Sequence, residues 1–239
     1  MPLYVVATPI GNSDDLTLRA ANILKASDLW LVEEMKPARQ LAKSLGVIKE
    51  MVQLNEHNEA EQAADLIGAL KAGESFALTS DCGTPGFADP GAKLVALCHH
   101  HKVPVIPVPG ASSLTAALSV SGLRLKEFFY AGFLPRNTEE RRKSIRSWQA
   151  LKVPVVVYEA PYRIKPLIAD LLAELPEDRG VRLFLSLTKP EEKIFIGHLK
   201  GLDNWLGETP PKLEFVLIVD PAPRPEVVKA KAKLRNKRV

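Results

Sequence analysis

The chain has 239 residues, 46% hydrophobic and 25% charged, with a formal net charge of +4 and two cysteines. This is an ordinary globular composition, long enough for one large or two small domains. It excludes a disulfide framework and a zinc-ligand spacing, and the longest apolar runs, 153–157 and 215–219, are strand-sized, far short of the ~18 residues of a membrane span.

The first residues, MPLYVVATPIGN, lack a basic n-region, so no signal peptide is read. LYVVAT (3–8) reads as a buried strand, DLTLRAANILKAS (15–27) as a helix, LWLVE (29–33) as a second strand and ARQLAKSLG (38–46) as a short helix closed by Gly46. MVQL (51–54), the helix 60–73 and the strand ESFALTS (74–80) follow. Asp89 is the expected N-cap of the next helix, with Pro90 at its first position. VPVIPV (103–108) is a strand, and PGASSLTAALSVSG turns into a helix of small residues. Alternating helices and strands that are apolar on both faces predict a mainly parallel sheet covered by helices.

The texture changes after residue 122. EFFYAGFLP is a strand, TEERRKSIRSWQAL a charged helix, VPVVVYEAP a strand and RIKPLIADLLAEL a helix. The stretches 181–189, 192–202 and 212–221 are strand-like. The expected organisation is an α/β domain over 1–116, a second α/β domain with a mixed sheet over 117–223, and a basic tail over 224–239. The tail holds seven Lys or Arg against one Glu, which leaves 25 basic and 27 acidic residues in the rest of the chain. It reads as a solvated terminus or as a non-specific phosphate contact. The helix 138–151 reads chiefly as a solvated charged face. Cys82 and Cys98 are expected to be reduced in a cytoplasmic protein, with Cys82 read first as a small buried thiol.

Three strand-to-helix junctions, TPIGNSDDLT (8–17), SDCGTPGFADPG (80–91) and PGASS (109–113), are rich in Gly, Pro and small polar residues. In a parallel sheet they share one edge, where ligands bind. Small residues let a ligand approach the main chain, and free N–H groups at helix starts bond its polar atoms. There is no G-x-G-x-x-G, no P-loop and no tight Asp/Glu cluster for two metals. An adenosine-bearing ligand without phosphate, such as S-adenosylmethionine, fits that pattern, and no metal is expected.

The motifs LYVVATPIGNSDDLTLRA, LNEHNE, ALTSDCGTPGFADPGAKLV, VPVIPVPGASSLTAALSVSGL, FFYAGFLP, VVVYEAPYRI and LTKPEEKIFIGHL lie in order over nearly the whole chain. With them the sequence resembles the tetrapyrrole methylase superfamily, and within it the ribosomal RNA small subunit methyltransferase I family. The resemblance implies two α/β domains of the tetrapyrrole methylase type with the ligand cleft between them, S-adenosylmethionine as cofactor, and a cytoplasmic homodimer. It implies methyl transfer to a cytidine ribose 2′-hydroxyl in small-subunit (16S) ribosomal RNA or the assembled subunit. By position it implies cofactor contacts from Pro9, Gly11, Asp81, Cys82, Gly83, Thr84, Phe87, Ala88, Ser112 and Ser113, and from Tyr158 and Thr188 of the second domain.

Two stretches depart from the family pattern. VEEMKPARQL stands where Ala-Glu-Asp-Thr-Arg is usual, keeping Glu33, and the basic tail stands where a small helical extension is usual. A ribose hydroxyl is a poor nucleophile, so a base or a nearby cation is needed. Glu33, Glu159 and Lys189 are the candidates, with Glu34 a neighbour of the same type. His57 reads as a structural hydrogen bonder. A small-molecule, tetrapyrrole-like methylase and a binding protein without catalysis are the competing readings.

Overall fold

The computed structural model describes residues 1–55, 58–86, 89–207 and 213–223. His57, Phe87, Ala88 and the basic tail lie outside the described residues. The chain divides into two compact units, Met1–Ala116 and Ala117–Val239.

The first unit is built on five parallel strands: β1 (Leu3–Val6), β2 (Leu29–Val32), β3 (Glu50–Gln53), β4 (Phe76–Thr79) and β5 (Val105–Val108). Their order is β3-β2-β4-β1-β5. Alternate residues bury opposite faces, as the period of two requires. Leu3, Leu29, Leu31, Phe76 and Leu78 pack with α3 (Glu59–Ala72) and α4 (Ala92–His100). Val6, Trp30, Val32 and Ala77 pack with α1 (Leu18–Ala26) and α2 (Met35–Ser44). Trp30 satisfies its buried Nε1–H on the Leu24 carbonyl at 2.9 Å. Helix α5 (Ser113–Val120) follows β5.

The start of α4 differs from expectation. Gly91, not Asp89, is the cap residue, at φ +117°. A Cβ there would lie 2.5 Å from Leu78 Cδ2, so the turn needs glycine for space as well as for backbone angle. The orphan N–H of Leu94 is taken by the carboxylate of Glu59, reaching across from α3 at 2.9 Å. A charged side chain distant in sequence thus does the work of a local cap.

The second unit holds a mixed sheet in the order β6-β7-β10-β8-β9. Its strands are β6 (Phe129–Phe133), β7 (Val155–Glu159), β8 (Gly180–Leu185), β9 (Lys193–His198) and β10 (Phe215–Val219). Only β6 and β7 run parallel; β10 is antiparallel to β7 and β8, and β9 to β8. One face buries Val155, Val157, Leu183, Leu185 and Leu217 with α6 (Thr138–Ser147), α7 (Ile164–Glu174) and α8 (Leu199–Leu206). The strand-like reading of 192–202 holds only to His198. From Leu199 the apolar residues Leu199, Leu202 and Leu206 recur at helical spacing and bury one side of α8.

The charged helix α6 is only in part the solvated face expected: Glu139, Glu140, Lys143 and Arg146 are exposed, but one side turns to α7. Arg141 is buried, and its Nε donates to Asp170 of α7 at 2.6 Å. Arg142 reaches the other oxygen of Asp170 at 2.7 Å, and Arg146 pairs with Glu174 at 2.8 Å. Three arginines therefore rivet α6 to α7. Among the described residues no helix is long and apolar enough to cross a membrane.

Removing one partner of a buried pair strands the other charge. Asp170→Ala is expected to cost about 3–5 kcal/mol in denaturant unfolding. Glu174→Ala, at the exposed and solvent-screened pair, is expected to shift the same unfolding midpoint far less.

Candidate functional site

The strand order decides where the first unit can hold a ligand. From β1 the chain crosses over to β2, on the far side of β4; from β4 it crosses to β5, on the far side of β1. Loops leaving neighbouring strands in opposite directions open a crevice at the carboxyl edge. The β1–α1 and β4–α4 loops are joined there by reciprocal backbone bonds, Thr8 N–H to Gly83 O at 2.8 Å and Gly83 N–H to Thr8 O at 3.1 Å. The β5 loop is tied in by the Thr84 hydroxyl, which donates to the Ala111 carbonyl at 3.1 Å.

This edge brings together Pro9, Gly11, Asp81, Cys82, Gly83, Thr84, Ser112 and Ser113. Gly83 is buried at φ +84°, with Ile10 Cγ2 3.3 Å from where a Cβ would stand. Cys82 is exposed, against the reading of a buried thiol. The backbone N–H and C=O of its neighbour Gly83 are consumed by Thr8, which pins that residue inward and leaves the thiol outside; Cys98 is the buried cysteine.

Three carboxylates also meet here. Because β2 pairs with β4 in register at Val32 and Thr79, Glu33 and Asp81 leave adjacent strand ends. The Asp81 N–H donates to Glu33 Oε2 at 3.3 Å, and the Glu34 N–H donates to Asp81 Oδ1 at 3.0 Å. Burial, then the Glu33 charge, pushes the Asp81 carboxyl up to about 6. The same two causes push Asp89 up to about 7, against the pull of the Ser80 hydroxyl hydrogen-bonded to it and with a further push from Asp81. A cavity of about 60 Å³ lies beside them, lined in part by Thr8, Pro9, Glu33, Ser80 and Asp81. It has room for a few waters at most. Asp89 was legible in the sequence only as a cap; its place in this group follows from strand order. Among the described residues no His, Cys, Asp and Glu cluster is arranged to hold a metal ion.

In the second unit, Tyr158 and Glu159 end β7, while Thr188 and Lys189 follow β8. Both strands flank β10, with Glu159 and Leu185 paired to Phe215 from either side. These four residues therefore share one sheet edge. Tyr158 stacks edge-to-face on Tyr130 and Phe133, at 5.4 and 6.1 Å between ring centres. Thr188 and Ser186 hold positive φ, +66° and +49°, a backbone strain in the loop after β8. Buried Glu159 accepts the Ala160 N–H at 2.8 Å and lies 3.2 Å from Arg163 Nη2. Lys189 pairs with Glu214 at 2.7 Å.

Comparison with known proteins bears on the family and the fold. Residues 2–203 match the family described as Tetrapyrrole (Corrin/Porphyrin) Methylases. A protein of Synechocystis sp. named Ribosomal RNA small subunit methyltransferase I is 36% identical, over 91% of this chain and 78% of its own. The protein of that name in Leptospira biflexa is 37% identical, over 91% and 90%. Among solved structures, a diphthine synthase superposes with a TM-score of 0.71 at 17% identity, covering 92% of this chain and 90% of its own. A uroporphyrin-III C-methyltransferase from Thermus thermophilus, complexed with S-adenyl homocysteine, gives 0.64 at 23% identity, over 96% and 100%. These two likenesses establish the fold.

The carboxylate group makes a pH prediction. Raised pKa values mean that the folded chain binds more protons than the unfolded chain between about pH 4 and about pH 7. The stability this group contributes is present below that window and is lost as pH rises through about 6 and 7. Asp89→Asn is expected to raise the Tm relative to wild type at pH 8 and to flatten its decline between pH 5 and 8. Thermal melts across that range check it.

Proposed function

The chain belongs to the ribosomal RNA small subunit methyltransferase I family of the tetrapyrrole methylases, and on that premise we propose that it transfers a methyl group from S-adenosylmethionine to a cytidine ribose 2′-hydroxyl of small-subunit ribosomal RNA. The observation that carries this reading is the kinship, at 36–39% identity over nine-tenths of the chain, to proteins named for methyl transfer to that RNA. We further propose that it works in the cytoplasm as a homodimer on RNA or the assembled small subunit.

The loop edge of the first unit fits the cofactor. The Thr8–Gly83 bonds hold the loop edge in one shape, with the exposed Cys82 and Thr84 on either side of the buried glycine. The group of Glu33, Asp81 and Asp89 is electronegative and crowded, and a ligand carrying an ammonium and a sulfonium relieves that repulsion. When bound, S-adenosylmethionine supplies a methyl that is already electrophilic. The task left to the protein is to align the hydroxyl with it and to accept a proton. We assign cofactor contacts to Pro9, Gly11, Asp81, Cys82, Gly83, Thr84, Ser112 and Ser113 in the first unit, to Phe87 and Ala88 by sequence position, and to Tyr158 and Thr188 in the second. Of the three candidate catalytic groups, Glu33 takes the base role in this reading. Glu159 and Lys189, each in an ion pair, are kept as candidates by their position in the sequence.

Labelled methyl from S-adenosylmethionine, incubated with small subunits from cells lacking the protein, is expected to appear as 2′-O-methylcytidine after digestion. Label in a methylated base overturns the ribose assignment, and label confined to a small molecule overturns the RNA assignment. Glu33→Gln is expected to lower kcat about 100-fold while cofactor affinity changes far less. An unchanged kcat moves the base elsewhere.

A further inference from the structure

Helix α2 begins immediately after Glu33 and Glu34, at the loop edge, and runs away from it. It carries Lys36, Arg39 and Lys43 and no acidic residue. Their spacing of three and four places them on one stripe. All three are exposed, and among the described residues none is in an ion pair. The contrast with α6 is direct, since its Arg141, Arg142 and Arg146 are all spent on α7.

Beside this stripe lies an open groove of about 550 Å³. Met35, Val47 and Met51 line it, and Arg39, Lys43 and Lys49 stand on its rim. Lys49 is anchored by donating to the Ser27 carbonyl. Ile48 stands at the lip, 101% exposed, and contributes nothing to the core. Alternation along β3 turns the nearest strand acid, Glu50, to the face opposite Met51.

We propose that this groove docks a single-stranded segment of the RNA substrate. Arg39 and Lys43, with Lys36 farther along the stripe, bond backbone phosphates, and an unstacked base lies on the methionine and valine floor against Ile48. The inference rests on the RNA methyltransferase reading, and two features select its occupant. Unspent cations in a row complement a polyanion. An apolar floor between them suits the flat face of a splayed base, which a duplex keeps stacked away. From the altered stretch VEEMKPARQL, Met35 and Arg39 line the groove.

The test compares wild type with Arg39→Ala/Lys43→Ala and, separately, Ile48→Asp, using the full chain and a small-subunit RNA fragment. For the double variant, KM for RNA is expected to rise at least tenfold with cofactor affinity unchanged. The slope of log affinity against log salt should fall by about 1.4, from two lost single-strand contacts. Ile48→Asp is expected to weaken binding severalfold with little change in slope. RNA affinity and slope equal to wild type in both variants overturn the groove. So does a double variant that loses only association with another protein. Wild-type binding that depends on the groove, without any label entering RNA, overturns the methyltransferase reading alone.

Discussion

Two hydrogen bonds between Thr8 and Gly83 hold the first unit's loop edge in one shape. They join loops that depart from adjacent strands in opposite directions, which is where a parallel sheet opens a crevice. Without them, the glycine-rich stretch after β4 is a loop with many accessible conformations and no fixed face. With them, Gly83 is turned inward at a positive φ, Cys82 is left outside, and Thr84 is in reach of the Ala111 carbonyl. The third loop is thereby tied to the first two. The same clamp leaves Asp81 at the strand end, where register brings Glu33 from the next strand.

Charge is used in three distinct ways. Between α6 and α7 opposite charges are paired and partly buried, and they act as structure. At the loop edge like charges are brought together in partial burial, and the group is held in tension that a cationic ligand relieves. Along α2 like charges stand apart and unpaired among the described residues, in a stripe that awaits an anion. A count of basic residues cannot separate these uses, because the difference lies in what faces each side chain.

Much of the fold was legible. Short, nearly continuous apolar runs mark LYVV, LWLV and FALT as central strands of a parallel sheet. Clusters of Gly, Pro and Ser mark the loops that converge. The errors have physical causes. Asp89–Pro90 has the composition of a helix start, but Gly91 is the residue whose backbone and size fit against Leu78. The tract 192–202 carries apolar residues at a spacing that changes from two to three and four at Leu199, and the strand reading missed that change. EERRKSIR looks solvated throughout because the acids that pair with its arginines, and the helix that buries Arg141, come 28 and 29 residues later.

The sequence by itself determined most of the element types, the positions of the glycine-rich junctions and the family, since those depend on local periodicity, turn chemistry and residue identity. Tertiary structure alone decided the order β3-β2-β4-β1-β5, the meeting of Glu33 with Asp81 across 48 residues, the capping of α4 by Glu59 across 35, and which cations remain without partners among the described residues. The reason is that hydrogen bonds, ion pairs and desolvation depend on distance in space. The chain sets that distance only when its strands choose their neighbours.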